Sequence, residues 1–296
     1  MGDQLLEPGV GWALVSALGF GFTQLMNRKA NLLTDAFRTA FGLLVCVELI
    51  LIGRLFVTGD FRLLADAPLA SLAFFAASTS IHYGVGWTLL ALSQQKIGVA
   101  RTGAFVSVAP VVAVLLAIPI LGESLSPISL LGVLASAAGV AIISISRAPG
   151  GGAWTSPWLA LMVASLWGTS PMLIRKGLEG FNEPLIGLTV GLGAALTLHA
   201  IGLSVAGVWK RPALPRAAYG WMMLGGLTGA IGIGAQWVSF GLTTIAIAIT
   251  VQQLATLVII ALAPVIFDAK FERLTRPLII GTLSMLSGSA IVVWLG

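Results

Sequence analysis

Few ionisable side chains in this sequence stand far from the ends of an apolar run, and these are where chemistry is first to be sought. Glu48 lies about thirteen residues into such a run. An ionised carboxylate costs far more in hydrocarbon than a protonated one, so Glu48 suits a proton-coupling group. Hydration or local pairing is the alternative, because Arg54 follows six residues later. His82 and His199 stand mid-run in two other segments. A lone buried histidine is ordinarily a structural hydrogen-bonding group, yet His82 is placed at the depth of Glu48 and is a candidate partner for it in proton handling. Arg38 and Arg101 lie near run ends. Each either extends its stem to carry the guanidinium to water or meets the carboxylate of an anionic or zwitterionic substrate in fork geometry.

Uncharged polar and aromatic groups form the second set. Tyr83 and Trp87 are four apart and share one helix face, Phe20 and Trp167 each stand one residue before a glycine, and Gln236 and Trp237 are adjacent. Gln24, Gln252 and Gln253 supply neutral donors and acceptors that in hydrocarbon need partners on another helix or on a ligand. These nine residues are the candidate substrate-binding set, an aromatic box near the membrane midplane. Trp87, Trp167 and Trp237 are read either as pocket walls or as packing, whereas Trp12, Trp158, Trp209 and Trp294 stand near run ends and read as an interfacial belt.

Several chemistries lack their groups. There is no Gly-rich phosphate loop, no H-E-x-x-H, no close carboxylate pair and one cysteine, Cys46, so nucleotide hydrolysis, zinc proteolysis and disulfide or thiolate-metal chemistry have no basis here. The reading is of a protein that is not an enzyme and needs no cofactor or metal. The net charge of +5 is scattered between apolar runs rather than along a basic stripe, which gives no footprint for nucleic acid.

What must position these side chains is an all-α bundle in a membrane. Of 296 residues, 57% are hydrophobic and 9% charged, with a mean hydropathy of +1.01, outside the range of soluble domains. Ten apolar runs are long enough to span a bilayer core as helices: 10–27, 35–56, 69–92, 99–120, 128–146, 156–174, 184–208, 217–242, 246–267 and 277–295. The first follows an acidic N-terminus with Asp3 and Glu7, so it reads as a retained helix rather than a cleaved signal. Pro110, Pro171 and Pro264 are expected to bend runs four, six and nine.

The glycines at 150–152 mark a flexible link at the centre of the chain. A shift of 147 places Ala13, Gly21, Arg28 and Lys29 on Ala160, Gly168, Arg175 and Lys176, and a shift of 149 places Glu123, Gly132 and Gly139 on Glu272, Gly281 and Gly288. The chain therefore reads as two repeats, 1–149 and 150–296. Five helices per repeat force the second to cross in the opposite sense, giving two inverted five-helix repeats around a central cavity. Twelve Lys and Arg fall on the side away from the termini and four on the termini side, which predicts termini outside.

The order of Gly19-Phe20-Gly21, Ile97-Gly98-Val99-Ala100 leading to Pro110, Leu121-Gly122-Glu123-Ser124-Leu125, Gly132 with Gly139, and Trp167-Gly168-Thr169-Ser170-Pro171 resembles the drug/metabolite transporter superfamily, specifically the EamA-type exporters. The resemblance implies a cavity between the repeats and export of amino acids or related metabolites. Glu123 and Glu272 then read as capping or gating elements in loops. The functional expectation is a proton- or gradient-coupled secondary transporter in the cell membrane, as a monomer or homodimer, with a small-molecule substrate and the bilayer as its partners. A flippase for a lipid-linked sugar and a non-transporting sensor are the alternatives.

Overall fold

A chain in hydrocarbon must satisfy its own backbone polar groups, and every regular element among the described residues is helical. The structure is a computed structural model that describes residues 8–113, 115, 126–145, 157–268 and 274–295. Glu123, Glu272 and the central link at 148–152 lie outside the described residues.

The helices are α1 (Pro8–Asn31), α2 (Ala36–Thr58), α3 (Leu69–Thr79), α4 (Trp87–Ile97), α5 (Val99–Val106), α6 (Pro127–Ile145), α7 (Pro157–Gly180), α8 (Pro184–Val205), α9 (Arg216–Leu242), α10 (Ile245–Gln252), α11 (Ala255–Ile266) and α12 (Arg276–Trp294). Local chemistry sets their ends. Asp35 caps α2 by accepting from the Arg38 backbone N–H, Thr244 and Thr275 cap α10 and α12 likewise, and Gly59 ends α2 at a φ of 76°. By length and composition five segments suffice to cross a membrane: Pro8–Asn31, Ala36–Thr58, Pro157–Gly180, Pro184–Val205 and Ile247–Ile266. A sixth is reached if the 116° bend between Asp60–Asp66 and Leu69–Ile97 lies within one span. The other expected runs are helical where they are described, in α5, α6, α9 and α12 and at 109–113, apart from a turn at 107–108 and at Leu295.

The distribution of polarity is that of a membrane bundle. Leu18 is 56% and Leu49 63% exposed, while Gln24, Asn27, Gln94, Thr102 and Gln236 are buried. Apolar side chains outside and amides inside is stable where the surroundings are lipid.

Glycines decide how closely the helices approach. A Cβ on Gly139 of α6 would overlap the Gly281 carbonyl and Met285 of α12, and one on Gly288 would overlap Gly132 and Ser136 of α6. Ser284 Oγ donates to the Ala135 carbonyl at 2.7 Å, and Ser136 Oγ donates to the Met285 carbonyl at 3.4 Å. Numbers rise on α6 as their partners' numbers fall on α12, so the two helices run antiparallel. Gly19 of α1 meets Gly232 of α9, and a hydrogen bond between the Thr23 and Thr228 hydroxyls (2.9 Å) follows one turn on. Ser78 of α3 donates to the Ser170 carbonyl of α7 at 2.8 Å.

Helical continuity breaks at three places. Ser80–Gly86 is a π-helical turn joining α3 to α4, residues 107–108 form a turn after α5, and 253–254 separate α10 from α11. The Ser107 carbonyl at the second break accepts from Ser289 Oγ at 3.0 Å, so it is satisfied without water. The expected bends fall differently. Pro171 lies inside the continuous α7 and Pro264 inside α11, ten residues beyond the break in that span, whereas Pro110 does follow an interruption.

Gly288→Val should lower the thermal midpoint by on the order of 5 °C through overpacking against α6. Gly202→Val, where a Cβ meets nothing within 4 Å, should leave it unchanged. Dye-monitored melting of the two purified variants checks the difference.

Candidate substrate-binding site

The three breaks surround one cluster of aromatic rings and amides. Phe20 of α1 meets the edge of Trp87 at 5.8 Å between centroids and of Trp167 at 5.3 Å, and Trp167 stacks on His82 at 5.0 Å with 7° between planes. The π-helical turn explains how these groups meet. Its extra residue per turn releases carbonyls from the helical ladder, and Trp167 Nε1 donates to the His82 carbonyl at 3.0 Å. Gly86 has no side chain, and a Cβ there would collide with Trp167 Nε1.

From the rings a hydrogen-bonded chain runs across the bundle. Trp237 Nε1 donates to Tyr83 Oη at 3.1 Å, Tyr83 Oη donates to Gln236 Oε1 at 3.3 Å, and Gln236 Nε2 donates to Gln252 Oε1. A second chain lies beside it: Gln94 Nε2 donates to Gln24 Oε1 at 2.6 Å, and Asn27 Nδ2 to Gln94 Oε1 at 2.8 Å. Gln24, Gln252 and Gln253 then line a small enclosed cavity with Phe20, Trp167 and Thr256. Its empty volume is about 270 Å³, of which only about 10 Å³ is open to the centre of a water molecule, room for a single water. All nine sequence-derived binding candidates thus belong to one connected cluster. The cavity among them is small, with the Phe20 and Trp167 rings in its walls.

Sequence reasoning missed Gln94, Asn27, Thr256 and Ser170. Gln94 and Asn27 sit near helix ends, where polar residues are common, and nothing local marks them as inward-facing.

Three donors in this neighbourhood have no acceptor among the described residues: Trp87 Nε1, Gln252 Nε2 and the His82 Nε2 position, a donor if the proton sits there. His82 Nδ1 shares a 2.6 Å hydrogen bond with Ser170 Oγ, so its partner is Ser170 and not Glu48. Glu48 is 8% exposed, has Oε1 close to Gly193 of α8, and has no partner for Oε2 among the described residues. It lies on the α2–α8 contact and does not line the cavity.

The two arginines occupy other places than those expected. Arg38 neither faces the cavity nor swings free: its Nε donates to Asp35 Oδ2 at 2.6 Å and its Nη1 to the Pro212 carbonyl at 2.6 Å. Arg211 Nη1 reaches the same Asp35 oxygen at 3.3 Å. This clasp joins the α1–α2 connection to the α8–α9 connection, because a carboxylate satisfied by two guanidinium groups is more favourable than one left in a half-buried site. Arg101 is 4% exposed within α5, so it is buried rather than extended to water.

The family comparison meets this geometry directly. The EamA-like transporter family matches residues 7–145, the segment that supplies Phe20, Gln24, Tyr83, Trp87 and the π-helical turn. This matched module, just under half of the chain, is similar to the EamA-like transporters of the drug/metabolite transporter superfamily. Together with five helices long and apolar enough to cross a membrane, the match points to a multi-pass membrane protein. The likeness of fold extends past the module: a crystal structure 16% identical in sequence superposes with a TM-score of 0.63 over 95% of this chain and 96% of its own. No curated protein matches the chain.

Partial burial pushes the Asp35 carboxyl up, but the Arg38 hydrogen bonds and charge, followed by the charge of Arg211, hold it below its ordinary value of 3.8. A depressed carboxyl contributes stability that is complete above 3.8 and lost as pH falls through the lowered value. Asp35→Asn should therefore melt about 2–3 °C below the native protein at pH 7, for a loss of about 1 kcal/mol. The two melting curves should converge as the pH is taken below 3.8, which a pH series of thermal scans reads.

Proposed function

We propose that the protein is a secondary transporter that exports small polar metabolites such as amino acids by alternating access. The observation that carries this reading is the cluster of orphaned donors and linked amides enclosed at the helix breaks. Buried donors without acceptors are costly, and a ligand that supplies acceptors removes that cost. A substrate carboxylate offers four lone-pair sites to Trp87 Nε1, Gln252 Nε2 and the neighbouring amides, without a guanidinium. In this reading Phe20, Trp167 and Trp237 shape the box, and the closed cavity is the occluded stage of the cycle.

The architecture favours an inverted repeat of ten spans, 1–149 and 150–296. Gly139 on Gly281 and Gly288 on Gly132 are the same contact under the 149-residue shift, while Ala135 with Ser284 and Ser136 with Met285 each pair a residue with its own equivalent. A contact in which i meets j and j meets i is the mark of two-fold symmetry. The antiparallel run of these two helices agrees with the second repeat crossing in the opposite sense. Thr23 with Thr228 likewise corresponds to Ser170 with Ser78, and Trp87 to Trp237 at a shift of 150. Breaks at 107–108 and 253–254 also stand 146 apart. Two such halves rocking about a common site supply alternating access.

Transport draws on a gradient in this proposal, with Glu48 as the proton carrier: its second oxygen lacks a partner, and it sits on α2–α8 where helices from both halves meet. The protein resides in the cell membrane with termini outside, as a monomer or homodimer. A flippase for a lipid-linked sugar is the second reading. It is favoured by a lateral groove of about 510 Å³ whose walls include Phe37, Val85, Thr88, Leu198 and His199. The groove does not share lining residues with the amide cavity, which counts against it.

Flux of a panel of radiolabelled amino acids in proteoliposomes, with and without an imposed pH gradient, tests the proposal. Native protein should move at least one of them, Glu48→Gln should lose the dependence on the gradient while still binding, and Gln252→Leu should lower flux by about tenfold or more. If no amino acid moves under any gradient, the proposed substrate class is wrong.

A further inference from the structure

The clasp at Asp35 closes one end of a groove that the transport site does not use. Between α2 and α9 a cleft of about 410 Å³ descends from the α8–α9 connection, with Arg38 and Arg211 at its rim and Phe41, Val45, Met222 and Met223 among its walls. The floor is made by helix contact: Met222 Sδ occupies the space that a side chain on Gly42 would need, so the two helices meet there and leave the cleft above them. Trp209 and Tyr219 also line it, both about half exposed. Amphipathic rings of this kind sit at the level of lipid headgroups.

Charge is distributed to match. Arg38, Lys210, Arg211 and Arg216 stand on these two connections and the adjoining helix starts, against the single carboxylate of Asp35. Arg38 is occupied by Asp35 and the Pro212 carbonyl, and Arg211 offers only Nη1 to Asp35, at the longer distance of 3.3 Å, while its side chain is 42% exposed. Lys210 and Arg216 are exposed. The rim therefore holds a surplus of cations beside a cleft with apolar walls, and in a bilayer such a cleft is filled by an acyl chain.

We propose that this cleft is a binding site for an anionic phospholipid of the surrounding membrane. Its phosphate lies at Arg211 with Lys210 and Arg216, and one acyl chain lies along Phe41, Val45 and Met223. Each occupant group meets its complement: a phosphate takes up guanidinium donors that Asp35 leaves open, and a chain takes the methionine-lined wall, whose flexible thioethers adapt to it. The cleft joins the α1–α2 hairpin to α9, so a lipid seated there bridges the same two connections as the clasp.

Native mass spectrometry of the purified full chain, titrated with phosphatidylglycerol and with phosphatidylcholine of the same chain length, tests this without reference to flux. Phosphatidylglycerol should bind the native protein at least about fivefold more tightly, about a fivefold factor being what one cation near a membrane surface contributes. Arg211→Gln, an exposed substitution that leaves the helices intact, should lower that preference by about fivefold. Val45→Trp, which fills the cleft, should lower binding of both lipids while Arg211→Gln changes only the preference. Equal binding of the two lipids, or an unchanged preference in Arg211→Gln, overturns the proposal. So does displacement by soluble glycerol phosphate alone, which would assign the rim to a free phosphate, or occlusion of the cleft by a second copy in cross-linking.

Discussion

The constraint on which the rest of this structure depends is that a polar group removed from water must find its partner within the protein. At two of the places where a described helix departs from regularity, a released carbonyl is taken up by a side chain. The His82 carbonyl at the π-helical turn receives Trp167, and the Ser107 carbonyl at the break after α5 receives Ser289. The amides obey the same rule, since Gln24, Gln94 and Asn27 satisfy one another in one chain and Tyr83, Gln236 and Gln252 in another. Trp87, Gln252 and His82 beside these chains each keep one group unmatched, as do several other buried groups, Asn27 Oδ1, Thr39 Oγ1 and Glu48 Oε2 among them. At the cluster, the unmatched donors of Trp87 and Gln252 are groups that an added acceptor would satisfy.

Close approach of backbones makes that interior possible. Lipid tails are as apolar as leucine, so helices in a bilayer associate through contact and hydrogen bonds rather than through burial of apolar area. The glycine contacts of α6 with α12 and of α1 with α9 meet this requirement directly. Elsewhere the chain matches a large residue with small ones. The Phe75 ring of α3 fills the space left by Gly177 and Gly187 and Thr79 that left by Gly191, whereas at the position 150 residues on Gly225 yields its space to Leu43 and Met26.

Apart from the buried Glu48, Arg28 and Arg101, the described charged residues are mostly at the ends of the bundle. Arg38 resembles a substrate-binding cation by its position in the sequence, yet the neighbouring Asp35 and the Pro212 carbonyl claim its donors. The lining of the small cavity is uncharged, made of amides, rings and apolar side chains. The interruptions at 80–86, 107–108 and 253–254 lie in the helices around it.

The sequence by itself determined that the chain is helical and apolar enough for a membrane, and it singled out the glutamines and aromatics that the structure brings together. Apolar runs without polar relief have one stable solution in lipid, and any amide within them must face inward, so Gln24, Gln252 and Trp167 could be identified without coordinates. Only the tertiary structure decided which of them meet, that Gln94 and Asn27 join them, and that His82 is bound to Ser170 rather than Glu48. It also moved the bends. Proline marks the loss of one hydrogen bond, but whether the helix breaks there depends on what packs around the freed carbonyl, so Pro171 stays within a continuous helix while the break at 253–254 has no proline. Partners distant in sequence decide these outcomes, and no local pattern records them.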